Sequence, residues 1–212
     1  MKLITLTLLL AVLAPTAQLI AQDNVVDSDT IYRDVSRRPK RPNVEAKVEA
    51  LLRQMTIEEK VGQMTQLTID MVTSGDDQDV KIDEAKLQKA IAQYGVGSIL
   101  NVNNQAISLD HWHRIIGPIQ QAAQKTRLKI PVIYGVDSIH GANYVQGSTL
   151  FPQEIGMAAT WNPVLMKRSA EIAAMETRAA GITWSFSPVL DVGRNQAWPR
   201  FWETFGEDPY LA

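Results

Sequence analysis

The sequence predicts an α/β fold in which parallel strands are covered by helices. Apolar, β-branched segments alternate along the chain with longer amphipathic segments, as strands and helices do. The connections that follow the strands are long enough to hold a helix, which parallel pairing requires. Unusual polar residues stand directly after two of the strands, where parallel α/β folds gather functional side chains. A (β/α)8 barrel and a doubly wound sheet both fit these observations.

The first residues predict a secretory signal peptide over residues 1–21. Lys2 supplies a positive start, and residues 3–14 form an apolar run about half as long as a membrane span. Small residues follow at Ala17 and Ala21, and we expect cleavage near Ala21 or, less readily, near Ala17. A membrane anchor is the alternative, but the apolar run is short for one. We therefore expect the protein to be secreted or periplasmic.

Composition and charge narrow the classes of partner. Hydrophobic residues make up 45% of the 212-residue chain, charged residues make up 21%, and the formal net charge is −2. These values are ordinary for a soluble globular protein, and they give no electrostatic reason to expect a nucleic-acid partner. The chain has no cysteine, so export does not serve disulfide formation. We expect neither nucleic acid nor membrane as a partner, and the oligomeric state stays open.

The folded domain is predicted to span residues 43–212. Residues 22–42 are polar, basic and proline-containing without a steady apolar period, which is typical of a linker. A first helix follows Asn43. A second opens at Thr56, because the Thr56 hydroxyl and the Glu59 carboxylate have the spacing of a capping box.

The remaining elements follow in alternation. We expect three apolar residues of the second helix to face inward, namely Ile57, Val61 and Met64. The later elements are a polar loop at 74–83, a short helix at 84–93, a strand at 96–100, a helix at 108–125, a strand at 131–136, a helix from Asn162 to near Gly181, and a strand within 182–192. The apolar face of the long helix is formed by Trp112, Ile115, Ile119 and Ala122.

The first unusual polar residue is Asp137, which ends an apolar strand between glycines at positions 135 and 141. A carboxylate at the end of a strand can accept hydrogen bonds from two neighbouring hydroxyls, as recognition of a vicinal diol requires. The alternative is an acid that caps the turn between strand and helix.

The second unusual stretch is residues 191–209, where cations, acids and indole rings are concentrated just past a strand. Among them are Arg194, Trp198, Arg200, Trp202, Glu203, Glu207 and Asp208. A guanidinium group binds hydroxyls with a planar fork, and an indole offers an apolar face to a sugar ring. A salt-bridged loop with aromatic packing is the alternative.

Other chemistries find little support in the sequence. His111 and His113 are two residues apart on a predicted helix, so they face different directions and make a poor metal pair. The chain has no phosphate-binding loop, nucleophile elbow or dinucleotide fingerprint. We expect no cofactor and no metal.

Four stretches, in order, resemble glycoside hydrolase family 3 over roughly residues 44–212. They are residues 55–64 (MTIEEKVGQM), 126–137 (TRLKIPVIYGVD), 151–152 (FP) and 187–209, which contains SPVLDV and ETFGEDP. One part departs from the family pattern: the common RDPRWGR run stands here as RNQAWPR at 194–200, which keeps Trp198 and Arg200.

The resemblance implies the N-terminal part of a (β/α)8 TIM-type barrel, incomplete in this chain. It also implies that Asp137 and Arg200 bind hydroxyls of the sugar at the nonreducing end of a β-glucoside or oligosaccharide. An Asp at 137 resembles the glucosidase branch, because relatives that act on xylose tend to carry Glu there. A β-xylosidase, a β-N-acetylhexosaminidase and a non-catalytic sugar-binding fragment remain alternatives.

The resemblance implies that the reacting groups lie beyond residue 212. The family's sugar-binding Lys-His pair has no counterpart here, because none of the 3 histidines follows a lysine. The nucleophilic Asp of the family, in a Ser-Asp context, is expected well downstream of the arginine loop. A complete barrel needs about 250 residues, so we expect this sequence to be partial and inactive by itself.

Overall fold

The computed structural model describes residues 42–102 and 104–212. The predicted signal peptide (1–21) and nearly all of the predicted linker (22–42) lie outside the described residues. The first helix begins at Pro42, so the last residue assigned to the linker belongs to the folded part.

Six helices and six strands follow one another in the described residues. The helices are α1 (Pro42–Leu52), α2 (Ile57–Met64), α3 (Glu84–Leu87, continued by a π-helical segment Gln88–Gln93), α4 (Leu109–Gln124), α5 (Glu154–Ala158) and α6 (Pro163–Ala179). The strands are β1 (Gln66–Thr68), β2 (Thr73–Ser74), β3 (Lys81–Ile82), β4 (Ser98–Leu100), β5 (Ile133–Val136) and β6 (Trp184–Ser185). Short 3-10 helices cover Ile69–Met71, Asp77–Asp79 and Phe201–Glu203.

The main sheet has four parallel strands in the order β1-β4-β5-β6. Each new strand is added beside the previous one, whereas a doubly wound sheet reverses its strand order at a switch point. The order therefore agrees with the predicted TIM-type barrel rather than with the doubly wound alternative. The four strands of the described residues form an open sheet, not a closed barrel.

The long helix α4 packs on this sheet with the predicted face. Trp112, Ile115 and Ile119 are each at most 1% exposed. The Trp112 indole meets the Tyr134 ring of β5 edge to face, with centroids 5.6 Å apart. Ser108 caps the helix by accepting a hydrogen bond from the His111 backbone N–H. Helix α4 thus covers the face of β5 on which the Tyr134 side chain lies.

Helix α6 also begins and ends as its sequence predicts. The Asn162 side chain accepts from the Leu165 backbone N–H, and Pro163 occupies the first turn. Gly181 follows the helix with a φ of 85°, a left-handed conformation that glycine adopts without strain. None of the helices in 42–102 and 104–212 has the length and apolar character needed to cross a membrane.

The prediction that Ile57, Val61 and Met64 face inward is wrong. The capping box at Thr56 and Glu59 is confirmed, but these three side chains are 58–86% exposed. Helix α2 docks through its opposite side, because Gly62 lies so close to the Tyr94 carbonyl that a Cβ would meet that oxygen at 2.2 Å. The backbone N–H of Gly97 donates to the Gly62 carbonyl at 2.9 Å.

Four strands also differ from the predicted elements. The segment predicted as a loop at 74–83 contains a small antiparallel pair, β2 with β3. Strand β1 was not predicted, because a three-residue segment of sequence QLT is too short to show a period. Only Trp184–Ser185 of the predicted 182–192 strand pairs with β5. The residues after β6 instead form the loop that carries the second group of polar residues.

Candidate functional site

Asp137 stands at the carboxyl end of β5, one residue past the last paired position. Side chains alternate between the faces of a strand. Tyr134 and Val136 share one face and are fully buried, with Tyr134 packed against Trp112 of α4. Asp137 therefore projects from the other face, and its side chain is 28% exposed. The carboxylate is accessible to a ligand at the edge of the sheet where α/β folds place their functional groups.

The turn after Asp137 is fastened by buried polar contacts. The Thr177 hydroxyl of α6 donates to Ser138 Oγ at 3.0 Å, and both residues are at most 4% exposed. The Asn143 side-chain amide, oriented to suit its neighbours, donates at 3.1 Å to the backbone carbonyls of Asp137 and Gly141. These contacts fix the backbone around Asp137 and so the position from which its carboxylate projects.

The loop that carries Arg200 is tied together at its base. Val189 and Thr204 form an isolated parallel bridge, and the Gly193 N–H donates to the Gly206 carbonyl at 2.8 Å. A Cβ at Gly193 would meet Thr204 Oγ1 at 2.5 Å, so this close approach requires glycine. The closed base allows a loop with few buried side chains to present one guanidinium group in a defined place.

Arg200 reaches from this loop to Asp137. Its Nη2 donates to Asp137 Oδ1 at 3.0 Å, while its Nε donates to Glu203 Oε2 at 2.6 Å. The Glu203 hydrogen bond, together with the charges of Glu203 and Asp137, raises the pKa of the Arg200 guanidinium above its usual value. The structure thus brings together the two residues that the sequence predicts as a site.

Part of each group is left for a ligand. In the described part of the chain, no side chain or backbone group bonds Asp137 Oδ2 or Arg200 Nη1. The Arg200 side chain is 45% exposed. A hydroxyl group both donates and accepts, so one hydroxyl can donate to the carboxylate while its neighbour accepts from the guanidinium. The pair is therefore suited to two adjacent hydroxyls of one ring.

A buried acid near this pair was missed by the sequence analysis. Glu154, the first residue of α5, is 1% exposed. Its Oε1 accepts from Ser187 Oγ at 3.2 Å and its Oε2 accepts from the Val189 N–H at 3.3 Å. Burial, with a smaller contribution from the charge of Glu203, raises the pKa of Glu154 to about 7. No motif marks this position, because a single acid between Gln153 and an apolar residue is typical of a surface position.

The other predicted residues have different surroundings. The Trp202 side chain is 48% exposed beside Arg200 in sequence, and Trp198 is half-buried. His111 Nε2 lies 2.5 Å from the Val80 carbonyl oxygen, and His113 Nε2 lies 2.7 Å from that of Ala179. The two histidines of α4 thus contact carbonyl groups of two different segments, as their spacing predicts.

Comparison with known proteins assigns the family. Residues 56–212 match the glycosyl hydrolase family 3 N terminal domain. The chain is 43% identical over 174 residues to a lysosomal beta glucosidase of Dictyostelium discoideum, with 78% of this chain and 21% of that protein covered. It is 40% identical over 97 residues to a beta-xylosidase of Formosa agariphila, with 43% of this chain and 13% of that protein covered.

A solved structure gives the same result at the level of the fold. The exo-1,3/1,4-beta-glucanase of a Pseudoalteromonas species superposes with a TM-score of 0.68 at 35% identity, over 82% of this chain and 21% of that one. The chain thus spans about a fifth of the length of these two glucoside-directed relatives. From the match over residues 56–212 and these likenesses, the chain belongs to glycosyl hydrolase family 3.

Proposed function

We propose that this chain supplies the sugar-binding half of an enzyme that hydrolyses terminal nonreducing β-D-glucosyl residues. The observation that carries the proposal is the 3.0 Å contact between Arg200 Nη2 and Asp137 Oδ1 at the carboxyl edge of the sheet. The family and the names of the relatives support the same class of substrate.

In this proposal Asp137 and Arg200 hold adjacent hydroxyls of the terminal ring. A hydroxyl that donates to a carboxylate or accepts from a guanidinium forms a charge-assisted hydrogen bond, which is stronger than a neutral one. Such bonds accelerate the reaction only to the extent that they strengthen as the ring distorts toward its transition state. The two residues therefore bind and orient the ring, and they do not break the glycosidic bond.

The bond-breaking step is assigned to groups outside this chain. A retaining glycosidase uses two carboxyl groups about 5–5.5 Å apart, one as nucleophile and one as acid and base. Neither Asp137 nor Glu203 is proposed for these roles, because Arg200 contacts both carboxylates. For the 212-residue chain alone we expect no hydrolysis.

A β-xylosidase is the second candidate, favoured by the 40% identity to the Formosa agariphila relative. Xylose lacks the exocyclic hydroxymethyl group of glucose, so the two substrates differ in the space they need beside the carboxylate at 137. The shorter Asp leaves more of that space than Glu, and this favours the glucoside. Rates on matched 4-nitrophenyl β-D-glucoside and β-D-xyloside separate the two candidates.

The test uses the intact enzyme, meaning the product of the reading frame that contains this chain. Asp137→Ala and Arg200→Ala are each expected to lower kcat/KM for 4-nitrophenyl β-D-glucoside by a factor of about 100 or more. Arg168→Ala is the matched control, because Arg168 forms an exposed ion pair with Glu171 on α6. Unchanged turnover by either site variant contradicts the proposal.

Export through a cleaved signal peptide completes the proposal. The Dictyostelium discoideum relative is named as lysosomal, and residues 1–21 have the composition of a secretory signal. N-terminal sequencing of the mature protein tests this, with Gln22 expected as its first residue.

A further inference from the structure

Glu154 is a buried carboxyl group that the proposed sugar site does not use. It is only 1% exposed, and a buried acid costs free energy unless it is hydrogen-bonded. Its two oxygens do not cap the helix that it begins. They accept instead from Ser187 and Val189, more than 30 residues further along the chain.

A short series of contacts connects these bonds to Arg200. Val189 forms a parallel bridge with Thr204, a fully buried residue. Thr204 follows the 3-10 helix Phe201–Glu203, which packs against α5. Arg200 directly precedes that 3-10 helix, without a capping hydrogen bond from its side chain, and its Nε donates to Glu203 at the helix end. Glu154 therefore holds the 187–189 segment in place, and this segment in turn pairs with Thr204, the residue after the 3-10 helix that Arg200 precedes.

We infer that Glu154 is a positioning residue for Arg200, holding through Val189 and Thr204 the backbone from which the guanidinium group reaches Asp137. The effect of this positioning on catalysis rests on the proposed function. The placement of the Arg200 guanidinium group itself can be tested independently of that function.

The side chain at position 154 has to offer acceptor atoms to two groups of one segment, the Ser187 hydroxyl and the Val189 N–H. Glu154→Leu removes both acceptor oxygens at a similar volume and leaves the Val189 N–H unpaired in a buried place. Glu154→Gln is the conservative comparison, because its amide oxygen can accept from Val189 while its NH2 group donates to Ser187 Oγ.

The first experiment measures the position directly, in a crystal structure of the intact Glu154→Leu enzyme. We expect the distance between Arg200 Nη2 and Asp137 Oδ1 to exceed about 4 Å, beyond hydrogen-bonding range, or the Arg200 side chain to lack density. Retention of the 3.0 Å contact overturns the inference. Glu171→Gln, an exposed acid of α6 that pairs with Arg168, is the control in which the contact is retained.

The second experiment is a double-mutant cycle on kcat/KM for 4-nitrophenyl β-D-glucoside. We expect Glu154→Leu to lower kcat/KM about tenfold or more in the natural background and less than about twofold in an Arg200→Ala background. An equal loss in both backgrounds, with melting curves showing folded protein, overturns the inference. If Arg200→Ala itself leaves turnover unchanged, the proposed function fails, and the crystallographic distance alone decides the role of Glu154.

A gentler variant covers the case in which Glu154→Leu does not fold. Ser187→Ala removes only the 3.2 Å hydroxyl contact and leaves the carboxylate in place. The same cycle is then expected to give a smaller loss that again disappears without Arg200. A loss that persists at full size in the Arg200→Ala background overturns the inference.

Discussion

Arg200 Nη2 and Asp137 Oδ1 are 3.0 Å apart although 63 residues separate them in the sequence. The contact follows from the parallel pairing of β5 with β6, which places the segments after both strands at one edge of the sheet. Glu203 Oε2 lies 2.6 Å from the same Nη2 atom and also accepts from Arg200 Nε. Arg200 is thus oriented by two carboxylates, and one of them lies where a sugar ring is proposed to bind.

Replacement of Arg200 by lysine tests whether this orientation matters beyond charge. The planar fork of arginine donates in several fixed directions, whereas an ammonium group is a compact point charge on a flexible stem. We expect Arg200→Lys to lower kcat/KM for an aryl β-glucoside by about 10- to 100-fold, or about 1.4–2.7 kcal/mol. Steady-state kinetics of the intact enzyme measure this, with Arg168→Lys as the control. Activity equal to that of the natural enzyme is incompatible with a role for the fork.

Glu203→Gln tests the carboxylate behind Arg200. The Glu203 side chain is 14% exposed, and its loss of charge weakens a short ion pair in a partly desolvated place. We expect a higher KM and a kcat/KM lowered by a factor of about 5–50. Glu171→Gln changes an ion pair of the same i,i+3 spacing on the surface of α6 and should leave both constants unchanged, since exposed pairs contribute about 0–1 kcal/mol. Equal kinetics for the two variants would exclude the positioning role of Glu203.

Helices with strong local signals were predictable from the sequence. Asn162 and Pro163 define the start of α6, and the apolar spacing of α4 gives both the helix and the face that it buries. Orientation was not predictable for α2, because its apolar stripe suggests one buried side while the close approach at Gly62 selects the other. A pattern reports which residues can be buried, and tertiary contacts decide which are.

The candidate site was predictable only in part, and the sugar-binding role of its residues stays a prediction. Asp137 and Arg200 each follow a strand, and the resemblance of their segments to the family marks both. Glu154 and its contacts with Ser187 and Val189 depend on two segments more than 30 residues apart and leave no local pattern. Residues that hold a functional group in place are recognised by what they touch, and sequence alone does not give those contacts.

The close approach at Gly193 gives a stability prediction. A methyl group there would meet Thr204 Oγ1, which already donates to the Phe201 carbonyl and accepts from the Gly206 N–H. Gly193→Ala is expected to lower the free energy of unfolding by about 1–3 kcal/mol, since the hydroxyl has no free direction in which to move. Gly156→Ala, inside α5 with its Cβ position 3.5 Å from Pro152 Cβ, an ordinary contact, is expected to raise it by about 0.5–1 kcal/mol. Denaturant unfolding measures the free energy of unfolding of both variants. Equal changes in the two would contradict the close contact between Gly193 and Thr204.

The raised pKa of Glu154 makes stability depend on pH. The usual pKa of 4.5 is raised to about 7, mainly by burial, so the folded protein binds a proton that the unfolded chain releases between these values. The stabilisation is therefore fully present below about pH 4.5 and is lost as pH rises through about 7. Glu154→Gln does not titrate, so the stability of the natural protein should fall relative to this variant by up to about 3 kcal/mol between about pH 4 and pH 8.

The difference between the stability–pH curves of the natural protein and Glu154→Gln separates the contribution of Glu154 from those of its titratable neighbours. Glu203 acts on it through charge, while His140 and Lys167 line the same cleft of about 330 Å³. These three groups are present in both proteins, so their contributions to stability are common to both curves and largely cancel in the difference. Denaturant unfolding at about one-unit intervals between pH 4 and pH 8 gives that difference directly. Parallel curves over this range would mean that Glu154 titrates as an ordinary exposed acid, and its desolvated setting between α5 and the 187–189 segment would have to be abandoned.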